Sequence, residues 1–466
     1  MLNQFSIVLP EIMLATLAIL MQVAGVIYKK SSRMVSIFTI MLALGICGYL
    51  LYSMTDYSLG FADSFLTSGM IALFKAVILG ISLMSIVVYY DFVKISQTEF
   101  CMEFVTLVLF STLGIFIAIS ARDFILLFCG LELQALSGYA LAAFNNKDVK
   151  SSEAGLKYFV LGALMSSLML LGISFLYGFS GSIKFTEVSA ALNGEFNIGL
   201  VVGAIFVLAA LLFKLSAAPL HIWAPDVYEG APISSVSYFA TAQKLGVLVI
   251  LITYLNETIG DYSQISEGLI KIVAIFSMII GSLGALGQQS LKRLMAYSSI
   301  LNIGYVLIGV SLPSEAGSEA SLMYMLIYII GVIGFFACLV ALFGSKSDVV
   351  IFEDLKGIAS QRKTIAASIA IIMFSMIGLP PLAGFFGKYA VFYQAVLQGE
   401  VALAMLGVLT SVIAAFYYLK VVKYMYFMDT DKAITIIPTH KGLWLVTVMS
   451  VGFTLLFFCL FSGYLL

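Results

Sequence analysis

LLFCGLELQALSGYALAAF, residues 126–144, carries a single charge, Glu132, near its middle. A hydrocarbon core about 30 Å thick is crossed by about 20 apolar residues in a helix. The stretch therefore reads as a membrane span. A carboxylate at that depth costs about 2.5–3.5 kcal/mol on insertion scales, so its presence calls for a function. Outward from this segment the whole chain has the same character: 466 residues, 62% hydrophobic and only 11% charged, with a mean hydropathy of +1.08. A soluble domain runs about 45–50% apolar and about 25% charged, which excludes a water-soluble globular protein. A net charge of −1 offers no electrostatic footprint for nucleic acid. The five cysteines (Cys47, Cys101, Cys129, Cys338, Cys459) are scattered, with no C-x-x-C spacing. They read as small core residues, neither a disulfide framework nor a zinc or iron–sulfur site. His221 and His440 lie too far apart in sequence for a local metal pair, and no dinucleotide fingerprint or P-loop is present. The expectation is a chain that holds no metal, redox cofactor or nucleotide of its own.

Hydropathy and length predict an all-α polytopic membrane protein of about 14 helices. They start near Ser6, Met34, Gly69, Glu103, Phe124, Ser152, Ile198, Ile233, Gly268, Leu291, Ala320, Thr364, Val401 and Leu443. The first is long, carries Pro10 and Glu11 near its start, and has no cleavage site after it, so it reads as a retained helix. With the N-terminus outside, sixteen lysines and arginines fall in cytoplasmic loops or helix ends, among them Lys29, Lys30, Arg33, Lys147, Lys150 and Lys432. Only Arg122, Lys184 and Lys271 fall outside, where the loops are acidic. Positive residues stay inside, so both termini are predicted on the outer side.

Two spans are interrupted. FKLSAAPLHIWAPDVYEGAP (213–232) places Pro219 after Lys214, and GLPPLAGFFGKYAVF (378–392) places Pro380 and Pro381 before Lys388. Broken helices persist at membrane depth only where protein or water satisfies the freed backbone groups. Paired breaks in two halves point to an inverted repeat around a transport site. The predicted division is residues 1–100 for helices one to three, 101–258 for a first five-helix repeat, 259–428 for a second, inverted repeat, and 429–466 for the last helix. Each repeat holds its break in its fourth helix.

Glu132, Lys214, Lys244 and Lys388 are the deep charges. Lysine suits proton transfer, because desolvation disfavours its charged form while a nearby carboxylate restores it. One carboxylate followed by several lysines reads as a relay. A sodium or metal site would want a cluster of oxygen ligands. Lys157 lies shallower and suits either the relay or snorkelling, and Lys75, outside both repeats, reads as structural. His221 follows the first break, near Asp226 and Glu229, as a candidate proton entry or a capped loop histidine.

The segments GLELQALSGYALAAF, SSEAGLKYFVLGAL, FKLSAAPLHIWAPDVYEGAP, LKRLMAYSSILNIGYVLIG and GLPPLAGFFGKYAVF together resemble, in order, the antiporter-like membrane subunits of respiratory complex I. VYEGAP followed by TAQKLG is most similar to the subunit N branch of the bacterial enzyme, NADH–quinone oxidoreductase. A lysine at Lys388 departs from the subunit M branch, and the chain ends too soon for the lateral helix of the subunit L branch. The alternative is the D-type branch of the Mrp-type sodium/proton antiporters. Many relatives have histidine where this chain has Asn302, which cannot titrate. The resemblance implies a proton-pumping subunit of the bacterial inner membrane that performs no redox chemistry itself. It implies Glu132 paired with Lys214, Lys157 near Glu132, Lys244 on a central polar axis, and Lys388 at its far end. The implied partners are the lipid bilayer and other complex I membrane subunits, including neighbouring antiporter-like ones. NADH, FMN, iron–sulfur clusters and quinone are then expected on partner subunits.

Overall fold

A computed structural model describes residues 2–27, 42–46, 48–50, 52, 57–259, 263–429 and 440–465. The chain is a multi-pass helical membrane protein. Its main helices are α1 (Leu9–Ile27), α2 (Gly69–Ser96), α3 (Met102–Ser120), α4 (Phe124–Ala142), α5 (Val149–Ser180), α6 (Ile198–Lys214), α7 (Trp223–Gly230) and α8 (Ile233–Ile259). They continue as α9 (Ser263–Leu286), α10 (Leu291–Val310), α11 (Glu315–Phe343), α12 (Lys363–Ile377), α13 (Ala383–Leu397), α14 (Val401–Phe427) and α15 (Lys441–Leu465). Among the described residues, ten helices are long and apolar enough to cross a membrane, and α6, α12 and residues 441–457 of α15 are shorter apolar helices. The span expected from Met34, and the loop charges Lys29, Lys30, Arg33 and Lys432, lie wholly or largely outside the described residues.

Helix starts follow ordinary capping chemistry. The side chains of Asp123 and Asp148 accept from Leu126 N at 2.7 Å and Lys150 N at 3.0 Å, and Ser290 and Ser314 cap α10 and α11 in the same way. A two-stranded antiparallel hairpin, β1 (Ser58–Gly60) with β2 (Phe65–Thr67), precedes α2. Sequence hydropathy gave no sign of so short a pair.

Both expected interruptions are present. α6 ends at Lys214 and the chain runs irregularly to Trp223; α12 ends at Ile377 and α13 begins at Ala383. The peptides Ala218–Pro219 and Pro380–Pro381 are cis. The freed Ala218 N–H donates to Ser277 Oγ at 2.8 Å, so protein supplies the partner that lipid lacks. A third irregularity was not legible: Phe239–Gln243, inside α8, forms a π turn.

The chain clusters into two compact units. Unit 1 holds Met1–Ile86, Glu99–Lys214 and Ala242–Gln264; unit 2 holds Val87–Thr98, Leu215–Thr241 and Ile265–Leu466. Within unit 1, small residues set the helix spacing as they do in membranes generally. A Cβ added at Gly114 of α3 would lie 2.5 Å from the Gly130 carbonyl of α4, and one at Gly172 of α5 would lie 2.7 Å from the Gly203 carbonyl of α6. These two crossings bring α3 against α4 and α5 against α6.

Candidate proton-relay sites

In unit 1, α4 carries Glu132 two residues after the Gly130 crossing. Its Oε1 accepts from Ser166 Oγ of α5. Lys214, the last residue of α6, donates from Nζ to the Leu131 carbonyl at 3.4 Å, one residue away from Glu132. Among the described residues no ion pair within 4.0 Å joins the two. They are neighbours, each holding a neutral partner. Tyr139, two turns further along α4, fits only because α5 has glycine at 162, where a Cβ would meet its hydroxyl at 2.0 Å.

Lys244 follows the π turn and is 1% exposed. Such turns widen a helix locally and are frequent at functional sites. Here the turn presents Gln243 and Lys244 consecutively to the interior: Gln243 Nε2 donates to Ser111 Oγ at 3.0 Å, and Ser111 Oγ donates to the Gln134 carbonyl at 3.2 Å. Helices α3, α4 and α8 are thus joined by polar groups beside Lys244. Lys157 is placed differently. It pairs with Glu153 one turn earlier at 2.7 Å, and both side chains are substantially exposed, 41% and 57%.

In unit 2, Lys388 lies on α13, past the second break, and is 6% exposed. Its ammonium reaches back across the break to the carbonyls that end α12, donating to Met376 O at 2.9 Å and Ile377 O at 3.0 Å, and to Ser411 Oγ of α14 at 2.8 Å. The Tyr305 ring centroid lies 5.3 Å from it. A cation at the carbonyl end of a helix is favoured by the macrodipole. Gly378, at φ 94° and with Lys388 Cδ 3.3 Å from where a Cβ would stand, closes α12 and leaves the lysine room. No carboxylate is paired with Lys388 among the described residues. Asn302 sits at the centre of a hydroxyl cluster, accepting from Tyr324 OH and donating to Ser298 O at 2.7 Å and Tyr418 OH at 3.3 Å.

His221 lies in the irregular segment before α7, with a buried Nδ1 that has no hydrogen-bond partner. Asp226 and Glu229 of α7 are both held by Arg293 of α10, at 2.9 and 2.8 Å.

Sequence reasoning named the charged residues and missed their neutral partners. Ser166, Ser411, Gln243 and Ser111 each hold or flank a charge. The signal for Ser166 was its place in an apolar run, ALMSSLML; the π turn left no sequence signal.

The comparisons agree on the family. Residues 121–414 match the model of the family described as "NADH:quinone oxidoreductase/Mrp antiporter, TM". A curated relative from Rickettsia bellii, named NADH-quinone oxidoreductase subunit N, is 52% identical over 452 residues, covering 96% of this chain and 98% of the relative. A relative of the same name from Rhodospirillum rubrum is 41% identical over 430 residues, covering 91% and 88%. A chain of respiratory complex I from Thermus thermophilus has a TM-score of 0.82 at 26% identity, covering 97% of each chain. A chain of the Mrp complex from a Dietzia species has a TM-score of 0.84 at 19% identity, covering 98% of this chain and 95% of that one, a likeness of fold alone. With half of the sequence identical to curated relatives along nearly its whole length, the chain belongs to the NADH-quinone oxidoreductase subunit N family, within the wider NADH:quinone oxidoreductase/Mrp antiporter transmembrane family.

Proposed function

We propose that this chain is a proton-translocating membrane subunit of a bacterial NADH–quinone oxidoreductase, with Glu132, Lys214, Lys244 and Lys388 as its titrating groups. The observation that carries the reading is the pairing of a lysine with each helix break: Lys214, half-buried, ends the helix before one, and Lys388, buried, caps the helix before the other. In this reading about 14 spans form two inverted repeats, residues 101–258 and 259–428, after residues 1–100 and before 429–466, with both termini on the outer side of the inner membrane. His221 and its acidic neighbours serve proton entry, and Lys157 tunes Glu132 from the helix surface. NADH, FMN, iron–sulfur clusters and quinone belong to partner subunits, and neighbouring antiporter-like subunits pack beside the chain.

The working step is an exchange of partners. Glu132 and Lys214 as described are parted, one on Ser166 and the other on the Leu131 carbonyl. A change of side-chain rotamer would join them, and the Pro219 break gives α6 freedom to move. Moving a charge through 100 mV costs about 2.3 kcal/mol, the size of the work that the exchange of partners has to match. The polar groups around Asn302 can order water without titrating.

A sodium/proton exchange role is the competing reading. The subunit N relatives at 52% and 41% identity favour the oxidoreductase. In membrane vesicles holding the assembled complex, Lys214→Ala is expected to lower protons moved per electron, with no dependence on sodium. An unchanged ratio in fully assembled complexes would refute the relay, and a sodium requirement would favour the exchanger.

A further inference from the structure

We propose that unit 1 carries a second buried carboxylate–lysine site, Glu11–Lys75, which passes protons between Lys244 and the side of the membrane where the chain begins. The proposal rests on the relay reading above and supplies its outlet.

Lys75 is 2% exposed and Glu11 5%. The ammonium donates to Glu11 Oε1 at 2.5 Å and to Ser120 Oγ at 2.6 Å, and the rings of Phe65 and Phe116 lie 5.0 and 5.7 Å from it. Among the described residues, Glu11 Oε2 is buried with no hydrogen-bond partner. A pair kept only for stability gains from satisfying every lone pair, and replacing it with apolar residues is often neutral or better. This one retains an open acceptor. Against Lys75 lies a cavity of about 90 Å³, to which Ser6, Tyr49, Ser58 and Thr67 contribute polar side chains. At about 30 Å³ per water in the liquid, it has room for about three waters.

Three helix ends fix the side. Glu11 is near the start of α1, Lys75 near the start of α2, and Ser120 is the last residue of α3. The cluster therefore faces the end from which the chain enters, beneath the hairpin that supplies Ser58 and Thr67.

Inward, the same helices carry a second polar rung. Ser82 stands two turns after Lys75 on the same face of α2, and its Oγ lies 3.0 Å from Thr112 Oγ1 of α3; each hydroxyl also lies within hydrogen-bond distance of a carbonyl of its own helix, Ile78 O at 2.7 Å and Val108 O at 2.8 Å. Both are fully buried. A further polar contact lies at the preceding positions of two helices: Ser111, which precedes Thr112 on α3, accepts from Gln243, which precedes Lys244 on α8. Seven residues along α2 separate Lys75 from Ser82, about 10 Å at 1.5 Å per residue, so the transfer proposed needs water between them. Lys75, already an ammonium, first releases a proton to Glu11, and Glu11 passes one to water in the cavity; the neutral lysine then takes up the proton that leaves Lys244 through the hydroxyl rung. One proton moves per passage and no electron does.

The test uses the whole complex in membrane vesicles, reading assembly and protons moved per electron. Glu11→Gln with Lys75→Met removes both charges together and leaves none unpaired. Thr112→Val removes the hydroxyl and keeps the shape, and Thr112→Ser restores it. Ser85→Ala, at an equally buried α2 serine that bonds only its own helix, is the control. The expected result is a ratio in the double variant as low as in Lys214→Ala, a lowered ratio in Thr112→Val, and wild-type ratios in Thr112→Ser and Ser85→Ala. A wild-type ratio in assembled Thr112→Val or in the assembled double variant, with Lys214→Ala lowered, overturns the outlet and leaves the relay standing. A wild-type ratio in Lys214→Ala overturns both. If the double variant does not assemble, Thr112→Val decides alone.

Discussion

Lys214 in unit 1 and Lys388 in unit 2 sit beside equivalent interruptions and are held in opposite ways. Lys388 has three neutral acceptors, two of them the last carbonyls of α12, so the helix end itself stabilises its charge. Lys214 has one long bond, to a carbonyl next to a carboxylate. The first arrangement fixes a cation; the second leaves one poised between partners. In the relay proposed, this contrast gives switching to Lys214 and a steadier, terminal role to Lys388. It also explains why Lys388 needs no acid of its own: it is served by backbone that the break exposes.

The comparison breaks most readily at Lys388. Lys388→Met leaves two helix-end carbonyls and Ser411 without their donor, at about 1–3 kcal/mol for each buried group left unpaired. Proton translocation by assembled complexes is expected to fall about tenfold or more, the equivalent of about 1.4 kcal/mol in a barrier. Lys388→Arg keeps the donors but cannot release a proton, so it is expected to assemble well and still pump poorly. Full pumping by Lys388→Met would show that unit 2 uses this lysine only as a cap.

A smaller effect sharpens the contrast. Ser166→Ala deletes the partner that holds Glu132 away from Lys214, a bond of about 0.5–1.5 kcal/mol, and turnover is expected to slow a few-fold. Ser411→Ala removes one of three acceptors from Lys388 and is expected to change turnover by less. If the two serines prove equivalent in stopped-flow or steady-state quinone reduction, the poised-versus-fixed distinction fails. The smallest expected change is in Arg293→Ala. Its pairs with Asp226 and Glu229 are about one-third exposed, so the loss is about 0.2–1 kcal/mol per pair, weaker at high salt. It is read as a modest drop in the thermal stability of the solubilised complex.

What the sequence revealed follows from the physics of each feature. Spans and deep charges are legible because lipid tolerates so few alternatives: an apolar run of about 20 residues has one use, and a charge within it is an exception. The two breaks were legible because proline removes a backbone donor at a known place. The division of labour between the lysines was not legible. It depends on where each ammonium points, and Lys388 reaches backward across its break to Met376 and Ile377, a contact between helices that spacing does not encode. Lys157 was ambiguous for a related reason, and the structure pairs it with Glu153 on its own helix surface. The π turn that presents Lys244 arises in a run, FATAQ, with no residue that demands it. Lys75 read as structural because it lies outside both repeats; its partner Glu11, 64 positions away, was not legible.

The central claim is that Glu132 and Lys214 act as one switch. Its most direct test is a double-mutant cycle in fully assembled complexes, measuring proton-coupled quinone reduction in Glu132→Gln, Lys214→Ala and the combination. If the pair is the switch, each single variant loses coupling and the double variant is no worse than the more damaging single one. Strictly additive losses would mean that the two residues act independently, and the switch would be contradicted.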